Sequence, residues 1–164
     1  MKKRDLLNKD IVISFFTQDL GRLTVFAKGV KKITSRRSPH LQTGNLINVL
    51  LSHKNDHYYL QESQLVSGFS ELKKDENKIK QLYLFLFILD RLLPENQKEE
   101  RAYNLTKRFL INLSLPAGTN RLGLLHYLNR LMSLLGYLHQ AKNFNELKFL
   151  IEEIINEKIP QLTL

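Results

Sequence analysis

The sequence predicts an α+β protein, with a small β barrel over residues 1–69 followed by an all-α, four-helix unit over residues 70–164. Three observations carry this prediction. Short β-branched and aromatic runs, parted by turn residues, fill the first seventy positions. From Glu71 onward the apolar residues recur at spacings of three and four, the period of a helix. No Gly-, Ser- or Pro-rich linker parts the halves, and 43% hydrophobic residues in a chain of 164 supply a core.

The first strand is residues 11–17, Ile-Val-Ile-Ser-Phe-Phe-Thr, ended by the turn Gln18-Asp19-Leu20-Gly21. Residues 22–28 form the second strand and close a hairpin with a short loop. Residues 46–51 and 58–66 are two more strands around a turn at residues 52–57, and residues 2–7 have room for one further short strand.

In the second half, Ile79, Leu82, Tyr83, Leu86, Ile88, Leu89, Leu92 and Leu93 fill most faces of a helix that Pro94 stops. Such breadth requires several neighbours packed around it. A second helix spans about residues 99–113, with Ala102, Leu105, Phe109 and Leu113 on one side, and residues 116–120 break it. In the third, residues 121–135, the leucines at 122, 125, 128, 131 and 135 form one stripe, and Gly136 suits the left-handed position after the helix. Asn143 and Glu146 have the spacing of a capping box for the last helix, which runs through Ile155 towards Pro160.

The formal net charge is +9, which favours a polyanionic partner. The excess is uneven. Residues 1–45 hold ten Lys and Arg against three Asp, or +7; residues 46–164 hold fifteen against thirteen, or +2. Its centre is the stretch KGVKKITSRRSPHLQTG at residues 28–44, where Lys28, Lys31, Lys32, Arg36 and Arg37 fall within ten positions. From residue 20 to residue 55 there is no Asp or Glu, so these cations lack local carboxylate partners. Arg36 and Arg37 carry planar forks that match phosphate geometry. A basic loop between strands of a small barrel is a setting for binding single strands, with aromatic side chains as stacking platforms. Phe15, Phe16 and Phe26 are the candidate aromatics.

Other chemistry is not in view. There is no Gly-rich phosphate fingerprint, nucleophile elbow or His-Glu-x-x-His motif, and the five histidines are scattered. No cofactor, metal site or catalytic residue is therefore predicted. Glu152 and Glu153 read as a solvated helix face. The absence of cysteine removes disulfides and thiolate ligands and fits a reducing compartment. The basic start lacks the apolar stretch of a signal peptide, and the longest apolar run, residues 82–89, is short of the roughly 20 residues that cross a bilayer. A soluble, cytoplasmic protein without a membrane partner is the expectation.

The block from Asp10 to Gly29, then Val30-Lys31-Lys32, Thr34-Ser35-Arg36 and Leu41-Gln42, resembles the amino-terminal domain of the RecO recombination mediators. That family's pattern is a strand into "fT-x-x-x-Gr", a second strand into "akG-x-r/k", then "k/t-S-r" and "Lq". Arg91-Leu-Leu-Pro94 and residues 121–137, ending Leu-Leu-Gly-Tyr, look like its helical domain. The resemblance covers roughly residues 5–140. It implies an OB-fold nucleic-acid-binding domain over residues 1–69, a helical domain over residues 70–164, and a bacterial, nucleoid-associated protein in the RecF pathway of DNA repair and recombination.

It further implies binding of single- and double-stranded DNA, annealing of complementary strands, and work with RecR and single-stranded DNA-binding protein to help RecA load. Lys28, Lys31, Lys32, Arg36 and Arg37 become the DNA-contacting positions. Arg121 becomes the candidate for meeting the acidic tail of single-stranded DNA-binding protein, against the plainer reading of a surface charge at a helix start. Two departures stand out. Many RecO proteins carry a four-cysteine zinc module where this chain has one terminal helix and no cysteine, and many have a fuller first strand before the Asp10 equivalent. A less completely closed barrel or a start further upstream follows from the second. A protein-interaction adaptor and an RNA-binding OB protein are the alternative functions.

Overall fold

The structure, a computed structural model of the chain, describes residues 3–5, 10–30, 38–116 and 120–160. It divides into two units, one formed by Met1–Phe69 with Pro94–Lys98, the other by Ser70–Leu93 with Glu99–Leu164.

The first unit is a five-stranded sheet of β1 (Lys3–Asp5), β2 (Ile11–Thr17), β3 (Gly21–Ala27), β4 (Leu46–Lys54) and β5 (His57–Ser67), in the order β1-β2-β3-β5-β4. All pairings are antiparallel except β3 with β5, which run parallel at Val25–Tyr58 and Phe26–Tyr59. Among the described residues β1 and β4 do not pair, so the sheet is the partly open, five-stranded form of an OB barrel. Alternation along each strand sends Ile11, Ile13, Leu23, Val25, Ala27 and Leu60 into one apolar core, joined by Phe15, Ile47, Val49, Leu51 and Tyr58.

The turns explain the strand limits. Thr17 donates its hydroxyl to the Gly21 carbonyl (3.0 Å) and accepts from the Leu20 amide (3.1 Å), closing the first hairpin from inside. The β4–β5 strands run three residues beyond the expected limit at 51 and leave a connection of only Asn55-Asp56. Both residues have positive φ, +50° and +59°, the two-residue geometry that Asn and Asp tolerate and that matches strand twist.

The second unit holds α1 (Glu76–Leu92), α2 (Glu100–Ser114), α3 (Arg121–Leu134) and α4 (Phe144–Ile155), after a 3₁₀ turn at Leu72–Lys74. Asp75 caps α1 through the Asn77 and Lys78 amides, Asn120 caps α3 through Gly123, and Asn143 caps α4 through Glu146. Leu93, held extended before Pro94, ends α1. Gly136, at φ +81°, ends α3, with Tyr137 donating back to the Met132 carbonyl.

α1 is the hub and meets each of the other three helices. Its Phe85 stacks on Phe109 of α2 at 4.2 Å between centroids, and Phe109 meets Tyr127 of α3 edge-on at 5.2 Å. The buried stripe of α3 is Leu124, Leu128, Leu131 and Met132; Leu122, expected inside, is 73% exposed. No helix of the described residues is long and apolar enough to cross a membrane.

Candidate nucleic-acid interface

The residues that flank the basic stretch are fixed in the sheet core. On the entry side Gly29, at φ +64°, donates its amide to Asp10 Oδ1 (2.7 Å), and Val30 is fully buried. On the return side Leu41 is buried, and the Asn45 side-chain amide donates to the carbonyls of Pro39 and His40. His40 Nδ1 lies 3.0 Å from the Ser63 carbonyl and 3.1 Å from its hydroxyl, which ties the same segment to β5. The Asp10 carboxylate thus holds the turn that leads into the cations. Lys31, Lys32, Arg36 and Arg37 themselves lie outside the described residues.

Lys28 is exposed, with its ammonium 5.3 Å from the centre of the Tyr59 ring. Tyr59 in turn lies 5.7 Å from Phe26, and Phe26 meets His57 edge-on at 5.2 Å. These side chains share the outward face, since Phe26 pairs with Tyr59 and Tyr59 with Ser52, while Leu60 and Tyr58 point into the core. The result is a patch of partly exposed rings with a cation at its margin, next to the point where the chain enters the basic stretch. Lys54, exposed at the end of β4 opposite His57, adds a second cation.

Of the three aromatics singled out in the sequence, Phe26 belongs to this patch, and Phe15 packs inward against the core. Phe16 is half-buried and paired with Arg22 in the register. Tyr59 and His57 were missed. The alternation in His57-Tyr58-Tyr59-Leu60 puts them on one side, but the parallel β3–β5 pairing that brings them to Phe26 has no local signal.

The first half of β3 has a different neighbour. Residues 94–98 run beside it through a parallel bridge of Glu95 with Arg22, with Asn96 donating its amide to the Arg22 carbonyl (2.9 Å). Glu95 accepts from the Thr24 hydroxyl (2.9 Å) and pairs with Arg22 (3.4 Å). Arg22 is thereby neutralised, and among the described residues the aromatic half that borders Lys28 stays partly exposed.

Arg121 stands apart from this patch, in the second unit. It opens α3, and its guanidinium lies 4.7 Å from the centre of the Phe144 ring. With Leu122, Leu125, Asn143, Phe144 and Asn145 it lines a shallow concavity between the starts of α3 and α4. Exposed Leu122 is explained by this placement: it serves the rim of a concavity rather than the core. A cation beside apolar surface suits an acidic segment with apolar side chains.

Glu152 is no solvated face. Its carboxylate accepts from the Ile159 amide (2.9 Å) and from Lys158 (3.0 Å), and these contacts hold its pKa below the ordinary glutamate value. The segment after α4 is fixed by this carboxylate and by Glu157, which pairs with Arg91 at 2.8 Å.

Residues 1–69 match the family model described as recombination protein O N terminal. The chain is 28% identical over 138 residues to the DNA repair protein RecO of Caldanaerobacter subterraneus subsp. tengcongensis, covering 84% of this chain and 56% of that protein. It is 27% identical over 142 residues to RecO of Thermoanaerobacter sp. strain X514 (86% and 57%) and 26% over 140 residues to RecO of Roseiflexus sp. strain RS-1 (85% and 49%). The chain spans about half the length of the curated relatives it matches. The chain is thus similar to RecO proteins, in its amino-terminal domain by the family model and over most of its length by these relatives.

Proposed function

We propose that this protein is a RecO-type mediator of DNA repair and recombination that binds single- and double-stranded DNA through the outward face of its OB sheet. In this reading Lys28, Lys31, Lys32, Arg36 and Arg37 contact phosphates, and Phe26 and Tyr59 receive unpaired bases. The observation that most supports it is Lys28 over the Tyr59 ring, beside Phe26 and His57, where the chain enters a stretch without carboxylates. Phosphate contacts position and ring stacking tolerates any base, so the complex is insensitive to sequence, as annealing of arbitrary complementary strands requires.

The residues take the role of a binder rather than an enzyme: they hold strands and lower their mutual repulsion, and no bond is made or broken. RecR and single-stranded DNA-binding protein are the proposed partners, with the acidic tail of the latter in the concavity of Arg121, Leu122 and Phe144, and RecA as the recipient of the cleared strand. In this reading residues 1–69 hold nucleic acid, and the Arg121 concavity within residues 70–164 holds protein.

The test is to reverse Lys31, Lys32, Arg36 and Arg37 to Glu and measure binding to labelled oligonucleotides across a salt series. With four to six phosphates neutralised, log K against log salt has a slope of about −3 to −4 for a single strand in the unaltered chain. The variant loses most of its affinity and slope while its circular dichroism stays the same. Unchanged affinity assigns DNA elsewhere. An adaptor instead of a DNA binder would retain RecR on a column yet never shift an oligonucleotide, and matched DNA and RNA competitors separate the RNA reading.

A further inference from the structure

A second carboxylate-free stretch runs from residue 101 to residue 145. It holds Arg101, Lys107, Arg108, Arg121, Arg130 and Lys142 and no Asp or Glu. Together with residues 20–55 it contains thirteen of the 25 Lys and Arg and none of the 16 Asp and Glu. Everything else has twelve cations against sixteen carboxylates, a net negative remainder. Charge in this protein is therefore concentrated in two segments, one in each unit.

The structure separates the cations of the second segment from the others in their unit. Lys74 pairs with Glu71, Lys80 with Glu76, Arg91 with Glu157, and Lys148 and Lys158 both with Glu152. Arg101, Lys107, Arg108 and Arg130 are all exposed, and among the described residues none of them has an ion pair or a hydrogen-bonded side chain. On α2 they lie opposite the buried Ala102, Thr106, Phe109, Leu110 and Leu113, with exposed Asn104 between them. Asn112 of α2 is hydrogen-bonded to Tyr127 of α3. Arg108 is one turn before Asn112 and Arg130 one turn after Tyr127, so in this helical hairpin the two arginines stand at the same level.

We infer that the exposed surface of α2 and α3 formed by Arg101, Asn104, Lys107, Arg108 and Arg130 is a second binding surface for the phosphate backbone of nucleic acid. Arg101 and Arg108 are seven residues apart on one face, roughly 10 Å along the helix at about 1.5 Å per residue. They cannot share one phosphate, and this spacing selects an extended polyanion over a small anion. An acidic peptide is better served by the apolar concavity at Arg121. Arginine forks on both helices at one level, with the Asn104 amide one turn before Arg108 on α2, suit a repeating phosphate chain of any sequence. With one surface in each unit, a single chain can hold two strands, or two distant segments of one strand. This inference rests on the reading of the chain as a DNA-binding protein.

The experiment compares the full chain, a loop variant with Lys31, Lys32, Arg36 and Arg37 changed to Gln, and a helix variant with Arg101, Lys107, Arg108 and Arg130 changed to Gln. The probe is labelled oligo-dT of about 40 nucleotides, longer than the roughly 4–16 that one OB fold covers. On this longer probe, which reaches both surfaces, the slope of the unaltered chain is expected to be steeper than the roughly −3 to −4 of the loop surface alone. Each variant is expected to keep its circular dichroism and to lose part of that slope, about 2 to 3 for the helix variant at roughly 0.7 per phosphate. A helix variant with unchanged slope and affinity, beside a loop variant that has lost binding, overturns this inference and leaves the proposed function standing. Absence of oligo-dT binding by the unaltered chain overturns both. A helix variant that loses only the binding of a polyglutamate peptide reassigns the surface to an acidic protein and overturns the inference as well.

Discussion

A Cβ on Gly21 would stand 1.7 Å from the backbone oxygen of Gln97, closer than any side chain allows. Gly21 also has φ of +74°, and its carbonyl receives the Thr17 hydroxyl. The glycine of the Thr17–Gly21 motif thus does two things: it closes the β2–β3 hairpin, and it leaves space for residues 94–98 against β3. Gly21→Ala is expected to lower stability by about 2–4 kcal/mol, with the left-handed φ alone contributing about 1–2. Urea denaturation measures this, and a loss below about 0.5 kcal/mol would show that Gln97 moves away without cost.

Stacking and charge separate at Tyr59 and Lys28. Tyr59→Ala is expected to weaken single-strand binding by about 1–3 kcal/mol with an unchanged salt slope, while Tyr59→Phe retains most of the affinity. Lys28→Ala removes about one phosphate contact and makes the slope shallower by roughly 0.7. Fluorescence anisotropy over a salt series distinguishes the two. Equal slopes in wild type and Lys28→Ala would remove Lys28 from the interface.

Glu152 makes the segment after α4 sensitive to acid. Its folded pKa lies below the ordinary 4.5, first because of the Ile159 amide and then because of Lys158. A carboxyl with a depressed folded pKa stabilises the native state fully above its ordinary value, and this is lost as pH falls through the lowered one. Protection of the Ile159 amide against hydrogen exchange, corrected for intrinsic rates, is expected to hold at pH 6 and fall below about pH 4. In Glu152→Gln it is expected to be low at both. Protection that does not change with pH would place the anchor of Ile159 elsewhere.

At the concavity of α3 and α4, Arg121→Ala is expected to weaken an acidic, apolar-ended peptide by about tenfold, since it removes both a charge and the guanidinium on Phe144. Leu122→Asn tests the apolar contribution without touching the core, because Leu122 is exposed. Calorimetric titration reads both. Wild-type affinity in both variants would leave Arg121 as a surface charge.

Much of this was legible locally. The β2–β3 hairpin, the stop at Pro94, the asparagine cap of α4 and Gly136 after α3 each depend on residues within a few positions of one another, where steric and hydrogen-bond rules act directly. The stripe of α3 was not, because leucines at 122, 124, 125, 128, 131, 134 and 135 offer more than one period-3.6 face. Only the neighbours of α3 select 124, 128 and 131 for burial and send 122 to the surface. Residues 94–98 read as a plain helix connection, and nothing in Glu95 announces Arg22 and Thr24 as its partners, more than seventy positions away. The aromatic patch was half visible for the same reason: Phe26 could be named, but Tyr59 reaches it only through a parallel pairing of distant strands.

Val30 and Leu41, buried on either side of the basic stretch, bind the fate of that stretch to the fate of the sheet. Neither residue can leave the core without opening it, so the arrangement at the ends of the stretch exists only in folded molecules. A ligand that grips the stretch in that arrangement draws on the native population alone. Saturating DNA at about one hundred times its dissociation constant would therefore raise the unfolding free energy of the sheet by about 2.7 kcal/mol. Melting temperature becomes a binding assay in its own right, one that needs no label and reports from the core of the sheet and not from the DNA.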